Sequence, residues 1–118
     1  RDVQHVETLR QALLSGLRER LPWALVNGAG DVPHVVSLSL PGCKSEVVLR
    51  MLESDEVYVS AGSACSKGKE SHVLRAMGLD KARVDSALRV SFAPFNTTED
   101  VEALLTGLGK AAAMLKRG

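Results

Sequence analysis

The sequence predicts an α+β domain, a small, mainly antiparallel sheet with helices packed on one face. Three patterns predict it. Both ends of the chain carry long apolar stripes at helical spacing, and the middle carries short alternating runs broken by Pro and Gly. The resulting order is α-β-β-α-β-α-β-α, and adjacent strands joined by a turn favour antiparallel pairing. By length the 118 residues form a single domain, 1–118. A chain of this size buries roughly two-thirds of its unfolded surface.

The first helix is expected over residues 3–19, where Val3, Val6, Leu9, Leu13 and Leu17 recur at steps of three or four. Asp2 suits its N-cap and Pro22 stops it. Trp23 to Val26 is a short apolar run, followed by the turn cluster Asn27-Gly28-Ala29-Gly30-Asp31. His34 to Leu40 alternates, with Val36, Leu38 and Leu40 on one face and Val35, Ser37 and Ser39 on the other, as in a half-buried strand. Pro41-Gly42 ends it. Lys44 to Glu53 predicts a helix that buries Val47, Val48, Met51 and Leu52, and Val57 to Val59 a strand. Ser60 to Lys69, made of small and basic residues, reads as a loop. Ser71 to Met77 reads as a helix closed by Gly78. Leu88 to Phe92 is a strand with Leu88, Val90 and Phe92 on one face and Arg89 and Ser91 on the other. Thr97 caps the last helix, with Asp100 completing a variant of the capping box. Its stripe is Val101, Leu104, Leu105, Leu108, Ala112 and Leu115.

Composition narrows the function. Hydrophobic residues are 45% and charged residues 25%, which fits a globular chain rather than a disordered one. A net charge of +1 and four aromatic residues (Trp23, Tyr58, Phe92, Phe95) argue against direct nucleic-acid binding. No apolar run approaches the ~20 residues that span a bilayer, and no signal-peptide pattern opens the chain. Two cysteines are too few for a disulfide scaffold, which points to a reducing, cytoplasmic compartment. Arg1 in place of Met is read as the start of a processed chain or of a piece of a longer one.

Cys65 is the residue most suited to chemistry. It sits in a polar loop of small residues, where Gly62 and Gly68 allow bends and Lys67, Lys69 and His72 add positive charge in sequence. Such surroundings favour thiolate, the nucleophilic form, which makes up only about 3% of an unperturbed thiol at neutral pH. The plainer reading is a loop thiol without a role. Cys43, between Pro41-Gly42 and a helix, reads as a small apolar filler at a turn. Cys-x-x-Cys and paired histidines at ligand spacing are absent from the sequence, so a zinc site is not expected. Arg89 interrupts an apolar strand. Its fork suits a carboxylate, and the plainer alternatives are an edge-strand arginine facing water or one paired with an acid such as Asp85. His5 and His34 read as ordinary surface or turn residues. Gly28-Ala29-Gly30 lacks the third glycine of a dinucleotide fingerprint, and Gly107-Leu108-Gly109-Lys110 falls inside a helical stripe rather than a phosphate loop.

Four blocks in order resemble the C-terminal part of cysteine desulfurases, pyridoxal-phosphate enzymes of the class V aminotransferase family. They are Ser60-Ala61-Gly62-Ser63-Ala64-Cys65-Ser66, Ser71-His72-Val73-Leu74-Arg75-Ala76-Met77-Gly78, Leu88-Arg89-Val90-Ser91-Phe92 and Asn96-Thr97-Thr98-Glu99-Asp100. The resemblance runs from about Val32 to the C-terminus. It implies the small C-terminal domain of a fold-type I enzyme, with the large cofactor-binding domain absent from this chain. It implies that Cys65 takes sulfur from L-cysteine as a persulfide, leaving L-alanine, and that Arg89 holds the substrate carboxylate. The sulfur then passes to an acceptor protein for iron–sulfur cluster, thio-cofactor or tRNA-thiolation chemistry. The family's Schiff-base lysine has no counterpart here: Lys44, Lys67 and Lys69 lack its context. Pyridoxal phosphate is therefore expected in the full-length enzyme, a homodimer, but not on this chain alone, which is expected to be inactive. Two alternatives stand beside this reading: a non-catalytic interaction or thiol redox-sensing domain, and an enzyme acting on selenocysteine or a sulfinate.

Overall fold

The computed structural model describes residues 2–27, 34–52, 57–61 and 81–115. Helix α1, Asp2–Arg20, leads into strand β1, Leu25–Val26, and strand β2, Val35–Ser39. Helix α2, Ser45–Met51, is followed by strand β3, Tyr58–Ala61. A short helix α3, Lys81–Asp85, precedes strand β4, Ala87–Ser91, and helix α4, Thr98–Leu115, closes the described chain. The expected turn at Gly28–Asp31, the loop around Cys65 and the helix at Ser71–Met77 with Gly78 lie outside the described residues.

The sheet has the order β1-β2-β4-β3 and every neighbouring pair is antiparallel. Both β2 and β3 run opposite to β4, so they run parallel to each other with β4 between them. This is a split β-α-β arrangement, in which α2 makes the crossover and packs on β3 and α4. Register aligns two apolar rows on one face: Val36, Val90 and Val59, then Leu38, Leu88 and Ala61. Helices α1, α2 and α4 cover this face, as the sequence predicts. Leu9, Leu13, Leu104 and Leu108 are fully buried against it. Each such leucine contributes about 1.5–3 kcal/mol.

The helices approach closely where a side chain is missing: a Cβ on Gly16 of α1 would overlap Leu105 of α4. Arg20 reaches from α1 to Glu102 of α4 in an exposed ion pair. Thr97 and Asp100 cap α4 reciprocally, Asp100 N donating to Thr97 Oγ1 at 3.3 Å and Thr97 N to Asp100 Oδ2 at 2.9 Å. Gly42 follows Pro41 with φ of 95°, a conformation that glycine takes without strain.

Four expectations need correction. Val3 is 69% exposed, because the buried stripe of α1 starts one turn later at Val6 and extends to Leu21. Asp2 is already helical, so it does not stand outside α1 as a cap. Ser60 and Ala61 belong to β3 rather than a loop, since they pair with Arg89 and Leu88. Ser39 is fully buried, because α3, which the sequence pattern did not predict, packs over that end of the second sheet face.

Candidate functional site

Arg89 stands at the middle of β4, an inner strand, which removes the edge-strand alternative. Its direct cross-strand neighbours are Ser37 of β2 and Ser60 of β3. Leu88 and Val90 point into the helix-covered core, so Arg89 and the two serines share the opposite face. The serines are half-buried and Arg89 is exposed on this chain rather than inward. Directly opposed residues hold their Cβ atoms about 4.5–5.5 Å apart. The next row on this face is Val35, Ser91 and Tyr58, with Tyr58 69% exposed. The arrangement presents a cationic fork on a polar sheet face, suited to bidentate capture of a carboxylate. Asp85, the acid considered for Arg89, bonds Lys81 at 2.8 Å.

One end of this face is closed by a polar network. Asn27 Nδ2 donates to Ser39 Oγ at 2.9 Å and to Ser37 Oγ at 3.3 Å. Arg83 of α3 donates from Nε to Asn27 Oδ1 at 2.6 Å and from Nη2 to the Val26 carbonyl at 3.0 Å. Ser39 Oγ donates to the Arg83 carbonyl at 2.6 Å, and Ser86 Oγ donates to that of Ala82 at 2.9 Å. Asn27 and Ser39 are both buried, and each finds partners, as buried polar groups must. Sequence reasoning missed Asn27 and Arg83. The signal in the sequence is slight: two serines alternating on β2, and an asparagine and an arginine 56 residues apart.

Cys43 is buried in the core cluster, its N–H bonded to the Leu40 carbonyl at 2.9 Å, as a filler at a turn would be. Cys65, Lys67, Lys69 and His72 lie outside the described residues. Ala61 is the last described residue before Cys65. His5 donates from Nε2 to the Asn96 carbonyl at 2.6 Å, tying α1 to the turn before α4. Asp100 is held below the usual carboxylate range by the Thr97 backbone N–H first and the Asn96 side chain second, against a small opposing effect of burial.

A cavity of about 490 Å³ opens at the outer edge of β3, between Leu49 of α2, Leu52 just after that helix, and Tyr58, Phe92 and Phe95. None of the described residues that line it is charged. Among the described residues the lysines, Lys44, Lys81 and Lys110, are all exposed, and no cluster of residues could hold a metal ion. None of the described lysines is enclosed, as a lysine holding pyridoxal phosphate would be. No described helix is long and apolar enough to cross a membrane.

An antiparallel α+β domain with an arginine on its polar face defines a class rather than a chemistry. The family model for class-V aminotransferases matches residues 1–104, and the chain belongs to that family. Its relatives include a cysteine desulfurase IscS of Vibrio vulnificus, 34% identical over 98% of this chain, and a mitochondrial cysteine desulfurase of Arabidopsis thaliana, 34% identical over 86% of it. Among solved structures it resembles a NifS-like protein, with a TM-score of 0.76 and 29% identity over 96% of this chain. The chain spans only 29%, 23% and 28% of those three proteins.

Proposed function

We propose that this chain is the single small domain of a cysteine desulfurase, supplying the sulfur-accepting thiol and the substrate anchor. Arg89 binds the carboxylate of L-cysteine through its fork. Cys65, as thiolate, takes the substrate sulfur. An S–S bond forms as the C–S bond breaks. The electron pair of the broken bond stays with the carbon, which takes up the proton the substrate thiol gives up, and L-alanine leaves. Atoms and charge balance without an external oxidant. The persulfide on Cys65 then passes to an acceptor protein for iron–sulfur cluster, thio-cofactor or tRNA-thiolation synthesis. Pyridoxal phosphate is assigned to the part of the family fold that this chain does not span, so the chain alone is expected to be inactive and the intact enzyme to be a cytoplasmic homodimer.

The observation that carries this reading is the pairing of Arg89 with Ser60. Ser60 precedes Cys65 by five residues, and five residues of extended chain reach at most about 18 Å. The named relatives, desulfurases over nearly the whole chain, supply the chemistry that this proximity suits. The test is Cys65→Ser in the intact enzyme. Persulfide formation and sulfide release are expected to disappear with cofactor binding intact. Unchanged sulfide release overturns the proposal.

A further inference from the structure

A second hydrogen-bond donor stands beside Arg89 on the polar face of the sheet. Asn27 continues the β1 side of the sheet past Val26, its backbone N–H donating to the Ser37 carbonyl at 2.8 Å. Its Oδ1 accepts from Arg83 Nε at 2.6 Å, which turns its Nδ2 toward β2. Nδ2 donates to Ser39 Oγ at 2.9 Å and to Ser37 Oγ at 3.3 Å. Ser39 gives its own proton to the Arg83 carbonyl. Ser37 differs: its oxygen accepts from Asn27, and among the described residues no acceptor takes its proton. Strand order decides where that proton points. Strand β2 lies between β1 and β4, so Asn27 reaches Ser37 from one flank while Arg89 stands on the other as its direct cross-strand partner. A hydroxyl keeps its proton away from the donor it accepts from, here away from β1 and toward the Arg89 side. The Cβ atoms of directly opposed residues are about 4.5–5.5 Å apart.

We infer that Ser37 is a further substrate-binding residue, whose O–H donates to the same amino-acid carboxylate that the Arg89 fork holds. The inference rests on the function proposed above, and within it only on the carboxylate role of Arg89. A carboxylate offers about four lone-pair sites, so it accepts a hydroxyl as well as a fork. The two donors do different work. The guanidinium supplies charge, but it rides on a long side chain with many rotamers. Ser37 is short, half-buried and fixed to an inner strand, so its bond ties the carboxylate to the sheet itself.

The test uses the intact holoenzyme and compares Ser37→Ala, Ser37→Thr and Arg89→Ala. Ser37→Ala is expected to raise KM for L-cysteine about tenfold, the effect of losing one hydrogen bond to a charged group. Its kcat is expected to stay within about twofold, because the bond holds substrate and transition state alike. Inhibition by L-alanine, which keeps the carboxylate, is expected to weaken by the same factor. Inhibition by cysteamine, which lacks the carboxylate, is expected to stay unchanged, a split that a merely structural defect would not produce. Ser37→Thr keeps the hydroxyl on a side chain that suits a strand and is expected to retain most of the affinity. The inference is overturned if Ser37→Ala leaves KM unchanged, if inhibition by L-alanine and by cysteamine weaken alike, or if Ser37→Thr is as impaired as Ser37→Ala. Should Ser37→Ala fail to fold, Ser37→Thr against the similarly shaped Ser37→Val decides alone. An unchanged KM in Arg89→Ala overturns the carboxylate role in the proposed function, and this inference with it. A raised KM in Arg89→Ala with indifferent Ser37 variants overturns only this inference.

Discussion

Ser60 and Arg89 face each other across β3 and β4, on the sheet face that α1, α2 and α4 leave uncovered. Ser60 is the next-to-last residue of β3, so the strand that flanks the arginine also delivers the chain toward Cys65.

Replacing Arg89 tests the anchor. A hydrogen-bonded charge contributes about 1.5–3 kcal/mol, which corresponds to about a ten- to hundredfold change. Arg89→Ala is expected to raise KM for L-cysteine in the intact enzyme by that factor. Arg89→Lys keeps the charge but loses the fork, so it is expected to recover only part of the affinity. Steady-state kinetics reads both, and an unchanged KM in Arg89→Ala rules out the carboxylate role.

The two cysteines are expected to differ in alkylation. Cys43 is 1% exposed inside the core cluster and should resist reagent until the protein unfolds. Under the proposed function Cys65 meets both substrate and acceptor, so it should be labelled in the folded protein. Site-resolved mass spectrometry across pH 5 to about 10 separates them. Labelling of Cys43 ahead of Cys65 contradicts the assignment.

Gly16→Ala sets two effects against each other. Alanine gains about 0.5–1 kcal/mol of helix propensity over glycine. The added Cβ overlaps Leu105, which is only 3% exposed and has little room to yield. Overpacking costs about 1–3 kcal/mol, so net destabilisation is expected. In a Leu105→Ala background the same change should stabilise. A double-mutant cycle by urea unfolding measures the coupling.

The cap on α4 predicts a pH dependence. Asp100 has a lowered pKa because it accepts from Thr97 N–H and from Asn96. A depressed acid contributes stability that is present above its unfolded value and is lost as pH falls through the folded one. The urea midpoint should therefore decline as pH drops below about 4. Asp100→Asn should flatten that decline. Thr97→Ala, which removes the other half of the box, should cost about 1 kcal/mol at neutral pH.

Much of this protein is legible in the residues themselves. The stripes of α1 and α4, the alternation of β2 and β4, the Thr97 cap and the turn at Gly42 depend on spacing and side-chain type within a few residues, where steric preference and burial act directly. Even the face that carries Arg89 follows from the period of a strand. What only the tertiary structure decided is partnership. Placing β4 between β2 and β3 put Ser37 and Ser60 beside Arg89, made β3 longer than its apolar run, and set α3 over Ser39. Strand register and the bond from Arg83 to Asn27 join residues tens of positions apart. No local pattern encodes them, because they form only when the whole apolar face of the sheet is buried at once.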